Sequence, residues 1–304
     1  MLPERRVLLA PHTSLRVGGA ADAFVLARGG QELAQALRWA QEADVPARII
    51  GGGSNLLVAD AGFDGLIVKA GATGTRLAAE AVIAEAGVTL ANLARRLAKQ
   101  GYAGLEWAAN VPGSVGGAAV NNAGAFGGDT AGCLLAVTLV AADGHRERMR
   151  AAELAYGYRT SVLKRGELRH MAVESVELRL QVGAPGEPER KVREFNALRM
   201  QSQPRVLSAG SVFANPPGDF AGRLIEAAGL KGARAGGAQI SEQHANFIVN
   251  PGGASAADVY ALMRLAQTHV LDRFGVWLRP EIELLGRWTD EQRAALAQPQ
   301  AAHA

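Results

Sequence analysis

A single cysteine, Cys133, stands among 304 residues, which excludes an internal disulfide and any zinc site built from several thiolates. It heads the apolar run 134–140, so a buried thiol is expected there, not a nucleophile. Aromatic residues make up only 5%, and no Lys/Arg cluster is interleaved with them. With a net charge of +3, that composition suits a small anionic ligand and argues against a nucleic-acid partner. His-Glu-x-x-His, Gly-x-Ser-x-Gly, Cys-x-x-Cys and a Gly-Lys-Ser/Thr phosphate loop are all missing, which removes the commonest hydrolase, redox-thiol and nucleotide-loop chemistries. Only residues 7–10 precede Pro11 as an apolar stretch, too short for a secretory signal core, so a cytoplasmic location without a membrane anchor is expected.

What is abundant is glycine without charge. From Trp107 to Gly128 no charged side chain occurs, yet six glycines, three asparagines and a proline would leave too many backbone groups unpaired for this to cross a membrane. Such a stretch can instead bring bare N–H groups close to a large anion, because glycine has no Cβ to hold the chain away. A second glycine run, Gly51-Gly-Gly-Ser-Asn-Leu56, follows the short apolar segment 48–50. A strand, a glycine turn and then Ser and Asn side chains can cradle a diphosphate. A plain hairpin turn is equally compatible with it, and Leu56 stands where the dinucleotide fingerprint needs its third glycine.

Taken in order, residues 24–27, 48–50, 66–69 and 82–86 predict strands, and 31–43 a helix with Leu33, Ala36, Leu37 and Ala40 on one face. Thr89 is expected to cap a helix reaching Gln100, with Leu90, Leu93 and Leu97 inward and Gly101 just beyond its end. Residues 134–141 and 145–150 predict a hairpin about the Asp143-Gly144 turn, and 170–181 a long strand. Residues 183–188, with two glycines and two prolines, predict a linker. Beyond it, helices are expected around 190–200, over 219–228 with an N-terminal cap, and from Ser255 on, where Val259, Leu262, Met263, Ala266, Val270 and Phe274 form an apolar stripe. Residues 277–285 read as a strand whose alternation turns Glu281 and Glu283 together away from the core. The alanine- and glutamine-rich tail from residue 289 is expected to fray. Periodicity and spacing stop at an α+β protein with two glycine-rich ligand loops and a separate C-terminal domain.

The motifs, taken in this order, resemble one family, UDP-N-acetylenolpyruvoylglucosamine reductase. The resemblance runs over about residues 12–286. Its carriers are Thr13-Ser-Leu-Arg-Val-Gly-Gly19, Ile49-Ile-Gly-Gly-Gly-Ser-Asn-Leu-Leu-Val58, Val111-Pro-Gly-Ser-Val-Gly-Gly-Ala118 and Asn122-Ala-Gly-Ala-Phe-Gly127. They continue with Tyr158-Arg159-x-Ser161, Gly210-Ser-Val-Phe-x-Asn-Pro216, Gly222-Arg-Leu-Ile-Glu226, Gly229-Leu-Lys-Gly232, His244-Ala-Asn-Phe-Ile-Val-Asn250 and Pro280-Glu-Ile282. Each is weak alone; their shared order is specific.

The resemblance implies a two-subdomain FAD-binding fold of the vanillyl-alcohol-oxidase-like type plus a C-terminal α/β substrate-binding domain, divided at about 1–71, 72–188 and 189–304. It implies non-covalent FAD held by Ile50, Gly51, Gly52, Gly53, Ser54, Asn55, Leu56, Pro112, Gly113, Ser114, Gly116 and Gly117, with Asn122 and Ala123 beside the isoalloxazine. NADPH is the implied donor in a first half-reaction, and an enolpyruvyl UDP-sugar the acceptor in a second. Hydride goes to the terminal carbon of the enol ether and a proton to its neighbour. Negative charge then builds on the substrate carboxylate, which a planar guanidinium would stabilise more in the transition state than in the ground state. Arg159 matches that arginine, Ser211 the proton donor and Glu281 the third catalytic residue, expected to be protonated or hydrogen-bonded to the carboxylate.

Several positions depart from the family pattern. His12 and Ala20 stand where Asn and Pro are usual, and Ala-Asn-Val precedes Pro112-Gly113 where Gly-Ile is common. Ala214 and Ser202-Gln203 occupy places where a lysine is frequent, leaving Arg199, Arg223, Lys231 and Arg234 to meet the uridine diphosphate. Tyr158, Asn215, Gln239 and Asn246 are the expected hydrogen-bonding partners of the sugar nucleotide. No insertion follows the Tyr158-Arg159 segment, so the chain resembles the shorter subtype. The alternatives are another FAD-dependent oxidase or dehydrogenase on the same fold, and a catalytically inactive nucleotide-binding protein. Covalent flavin attachment is not expected, since neither His nor Cys occurs in 51–56 or 112–122.

Overall fold

The computed structural model describes residues 2–297; the part of the expected fraying tail beyond residue 297 lies outside the described residues. The chain forms two compact units that are not contiguous in sequence. One comprises Met1–Arg5, Ala23–Gly52 and Gly65–Gln201; the other takes Arg6–Asp22, Gly53–Asp64 and Ser202–Ala304.

The first unit carries most of two larger sheets, besides two two-stranded ones. A four-stranded sheet runs in the order Glu4–Leu8, Ala20–Ala27, Phe63–Ala70, Ala47–Ile50, the last two parallel. Helix Gly30–Glu42 covers it, burying Leu33, Ala36, Leu37 and Ala40 as the sequence period required. A five-stranded antiparallel sheet follows in the order Arg146–Arg150, Leu134–Ala141, Met171–Arg179, Ala81–Glu85, Thr75–Ala78. Its strand Leu134–Ala141 is buried on both faces. Val137 and Leu139 join the core under helix Leu90–Lys99, while Val140 joins the core of helix Gly30–Glu42. A near-continuous apolar run is what two-sided burial demands. The Asp143-Gly144 turn forms as expected, with Gly144 at φ 90° and the Asp143 carboxylate accepting from the His145 N–H.

Some boundaries move. Thr89 occupies the cap position of helix Leu90–Lys99, but its side chain makes no capping bond. The expected linker at 183–188 is overtaken by helix Glu187–Ser202, with Pro188 buried in its first turn where a missing N–H costs nothing. The unit boundary falls at its far end, between Gln201 and Ser202.

The second unit is built on a sheet in the order Leu207–Ser211, Phe247–Asn250, Ala238–Ile240, Arg234–Ala235. Helix Ala256–Phe274 packs on it through Val259, Leu262, Met263, Ala266 and Val270, all at most 1% exposed. Ser255 and Asp258 close a reciprocal capping box at its start, and both Asp60 oxygens accept from the Ala256 and Ala257 N–H groups. The short helix Ala221–Ala227 is not capped by Asp219, whose carboxylate instead takes the Phe220 N–H and Arg223. The Ala221 N–H is met by Asn215 Oδ1 at 3.1 Å.

The expected strand at 277–285 is interrupted. Pro280 pairs only with Phe213 in an isolated bridge, and Glu283–Leu285 then runs parallel to Leu56–Val58. Proline cannot donate to a ladder, so the segment changes partners there. The tail does not fray from residue 289: Asp290–Ala297 is helical, with Leu296 in the core. The fully buried Gln267 amide donates to the Leu278 and Leu296 carbonyls, which docks that helix.

Candidate cofactor cradle and substrate site

In the first unit, two glycine turns meet backbone to backbone. A Cβ on Gly51 would lie 2.1 Å from Ser114 Oγ, and one on Gly52 would lie 2.8 Å from the Gly113 Cα. A Cβ on Gly116 would strike Ala86 at 2.7 Å. These distances are far inside van der Waals contact, so the close approach itself requires glycine. Ser114 caps helix Val115–Asn121 by accepting from the Gly117 N–H at 3.2 Å. The Val115 and Gly116 N–H groups go to the Val88 and Ala86 carbonyls. The amides of that helical turn are therefore committed inside the protein. Among the described residues, the N–H groups of Gly51, Gly52 and Gly113 donate no hydrogen bond. A turn of unengaged amides walled by glycine fits a diphosphate.

The loop after this helix is fixed by a strap, residues 156–161. Asn122 is left-handed, at φ 46°. Its carboxamide donates to the Gly157 carbonyl at 3.0 Å and accepts from the Ala131 N–H at 2.9 Å. Asn122 is 4% exposed, so its side chain holds the loop and only its backbone is available to a flavin. The Ala123 carbonyl accepts from the Thr130 N–H and hydroxyl, both at 2.9 Å. Tyr156 and Ser161 donate to the Ala119 and Val120 carbonyls. Arg159, itself at φ 57°, donates through Nη1 to the Asn122 carbonyl and through Nη2 to the Gly124 carbonyl, at 3.1 and 2.8 Å. It lies over the half-exposed Tyr158 ring, 5.4 Å from its centroid. Burial pulls the Arg199 guanidinium, near the end of helix Glu187–Ser202, below its ordinary range.

Burial also pushes the Cys133 thiol up to about 12, which agrees with an inert core cysteine.

In the second unit, Ser211 and Glu281 lie on adjoining extended segments. The Val212 carbonyl accepts from the Glu281 N–H at 2.8 Å and from the Ile282 N–H at 3.3 Å. Asn55 Nδ2 donates to the Glu281 carbonyl at 3.0 Å, and the Asn55 carbonyl accepts from the Glu283 N–H at 2.9 Å. The 53–56 half of the first glycine loop is thus tied to the segment carrying Glu281. Gly53 lies there at φ 62°, where a Cβ would be 2.1 Å from the His12 carbonyl oxygen.

The other expected substrate ligands have local partners. Arg223 forms a bidentate pair with Asp219, whose carboxyl is held at about 2 by that guanidinium and the Phe220 N–H. Lys231 pairs with Glu226 at 2.7 Å. Arg234 donates to Gln239 Oε1 at 3.0 Å, while Gln239 Nε2 donates to the Gly232 carbonyl at 3.3 Å. Asn246 is 3% exposed and faces the backbone of Phe213. Local spacing in the sequence carries no sign of these pairings, apart from the i, i+4 step between Asp219 and Arg223.

A family model for the C-terminal domain of UDP-N-acetylenolpyruvoylglucosamine reductase matches residues 203–285, and one for an FAD-binding domain matches residues 21–150. The UDP-N-acetylenolpyruvoylglucosamine reductase of Chloroflexus aurantiacus is 45% identical over 285 residues, covering 91% of this chain and 95% of the relative. That of Rubrobacter xylanophilus is 43% identical over 280 residues, covering 91% and 93%. The crystal structure of UDP-N-acetylenolpyruvylglucosamine reductase from Thermus caldophilus is similar with a TM-score of 0.79 and 38% identity, over 92% of this chain and 98% of that one.

Proposed function

The chain belongs to the UDP-N-acetylenolpyruvoylglucosamine reductase family, and from that membership we propose that it reduces the enolpyruvyl group of UDP-N-acetylglucosamine enolpyruvate to give UDP-N-acetylmuramate. NADPH is the electron donor, FAD the bound cofactor, and the product a peptidoglycan precursor. A nucleotide-linked substrate and NADPH put the reaction in the cytoplasm. The two sheets of the first unit are the two halves of the FAD-binding fold, and the second unit is the substrate-binding domain. FAD, when bound, supplies the two-electron relay between NADPH and the alkene.

The chain's own residues do the rest. Gly51, Gly52 and Gly113 offer unengaged amides to the cofactor diphosphate, and Ser114 keeps their turn in place. Arg159 is held by its bonds to the Asn122 and Gly124 carbonyls, and its guanidinium charge is the one assigned to the substrate carboxylate, where negative charge grows during reduction. Ser211 delivers a proton to the carbon next to the carboxylate. Its hydroxyl is a weak acid, and a carbon carrying enolate character is basic enough to take that proton from a donor already in place. Glu281 meets the carboxylate as a hydrogen-bond donor, since a bare anion would oppose the developing charge.

The observation that supports this reading is the Val212–Glu281 backbone bond together with the Asn55–Glu281 bond, which tie the segment following Ser211, the segment carrying Glu281 and residues 53–56 to one another. Anaerobic reduction of the purified yellow protein by NADPH, followed by addition of the enolpyruvyl UDP-sugar, tests it. Reoxidation by the sugar nucleotide without oxygen is expected; reoxidation by oxygen alone would overturn the substrate assignment. Ser211→Ala is expected to keep flavin reduction by NADPH and to slow reoxidation by at least about 10²-fold, the lower end of what one positioned proton donor contributes.

A further inference from the structure

The strand that ends at Ser211 contains a one-residue slip. Leu207 and Ser208 pair with Asn250 and Val249, but Ser211 pairs with Phe247, so three steps on one strand oppose two on the other. The extra residue falls at Ala209-Gly210, and Gly210 is left-handed at φ 76°. By plain alternation Ser211 would share the face of Ala209, which lies in the core. The slip reverses that phase: Val212 takes the core face three residues after Ala209, and Ser211 is left half-buried.

Immediately after Ser211, one side chain holds the backbone. Asn246 Oδ1 accepts from the Phe213 N–H at 3.0 Å, its Nδ2 donates to the Phe213 carbonyl at 2.8 Å, and its own carbonyl accepts from the Val212 N–H at 2.8 Å. Both ends of the carboxamide are therefore spent on one residue, and only 3% of Asn246 is exposed. Its own N–H donates to His244 Nδ1 at 3.2 Å, with the His244 ring tilted against Phe247 and packed at Gly222. Burial holds His244 below its ordinary range, which keeps Nδ1 free to accept.

We propose that the Gly210 slip and the Asn246 clamp are positioning devices that set the direction of the Ser211 hydroxyl, and that Asn246 does not touch the sugar nucleotide. The proposal rests on the reading of Ser211 as proton donor. The slip chooses the face on which the hydroxyl emerges. The clamp fixes the residues after it, with the Val212 carbonyl anchored to Glu281, so serine and glutamate keep one spacing.

Three variants of the flavin-loaded full chain test this: Asn246→Asp, Gly210→Val and Ser211→Ala. Asn246→Asp keeps the acceptor for the Phe213 N–H and loses the donor to its carbonyl. Gly210→Val puts a β-branched residue where φ is positive, so the slip must relax. Both are expected to slow anaerobic reoxidation by about 10²-fold at saturating enolpyruvyl UDP-sugar, the effect of an ~1 Å misplacement, with the dissociation constant of that ligand within about 2-fold of native. Protonation of the carboxyl at 246 restores the missing donor, so the ratio of variant to native rate for Asn246→Asp rises as pH falls. His244, Glu226 and Lys231 on the surrounding turn and helix, and Glu281 on the neighbouring segment, are the other charged or titratable groups around this stretch and are present in both proteins.

If the two positioning variants instead weaken the sugar nucleotide by 10-fold or more while the limiting rate stays native, Asn246 is a ligand contact and the proposal is wrong. A ratio that stays flat or falls with decreasing pH also overturns the clamp. If Ser211→Ala reoxidises at the native rate, it is the donor assignment that fails. Gly210→Val carries the test should Asn246→Asp fold poorly, since a Cβ at Gly210 meets nothing within 4 Å.

Discussion

Gly51→Ala is the sharpest probe of the proposed cofactor cradle. The new methyl would sit 2.1 Å from Ser114 Oγ and 3.1 Å from Ser114 Cβ, and Ser114 is 5% exposed with nowhere open to retreat. Either the hydroxyl swings away and the helix loses its cap, at about 1 kcal/mol, or the glycine turn is pushed out, at about 1–3 kcal/mol for overpacking. The routes are alternatives, so the cost is about 1–3 kcal/mol, the larger values applying where the turn moves. If the turn's displacement is expressed wholly in cofactor binding, FAD affinity falls by about 5- to 150-fold. Fluorescence titration of the apoprotein with FAD reads this directly, and urea unfolding of the apoprotein separates lost affinity from lost stability. Adding Ser114→Ala removes the clashing oxygen and leaves only the tight 3.1 Å contact. The double variant should then bind FAD more tightly than Gly51→Ala alone, with a coupling of about 1–2 kcal/mol, above the ~0.5 kcal/mol scatter of independent sites. Native affinity together with native stability in Gly51→Ala, or strict additivity of the pair in both readouts, would refute the close approach of the two turns.

Two further outcomes follow from groups outside the site. Cys133, with its thiol pushed up to about 12 by burial, should resist thiol-specific reagents at pH 8 in the folded protein and react only after unfolding. Rapid labelling of native protein would place it at the surface. Asp60→Ala should destabilise the protein by about 1–2 kcal/mol in urea, because both oxygens serve N–H groups in the first turn of helix Ala256–Phe274. An unchanged midpoint would show that Ser255 and Asp258 suffice.

Local signals carried much of the architecture. The 3.6-residue stripes on Gly30–Glu42, Leu90–Lys99 and Ala256–Phe274 appear as the buried faces of those helices, and the glycine density at 51–53 and 113–117 corresponds to a contact that a Cβ would forbid. What stayed invisible was set by partners far away in the chain. Nothing near Asp60 announces that it serves a helix nearly two hundred residues later. Asn246 carries a residue type suited to a polar ligand, and only the coordinates give its amide to Phe213. The slip before Ser211 is one residue long, too small to disturb any periodicity. Residues 290–297 looked like a loose end because the sequence does not show Gln267 waiting for the Leu296 carbonyl.

The interleaving of the two units limits how this gene can be cut and shuffled. Residues 202–304 lack the Leu56–Val58 strand that Glu283–Leu285 pairs with, and lack Leu57, which is completely buried among them. Any recombination that exchanged the second unit as one contiguous segment would import a core with its keel missing. A chimera that exchanges the second unit must therefore carry residues 6–22 and 53–64 along with the C-terminal segment.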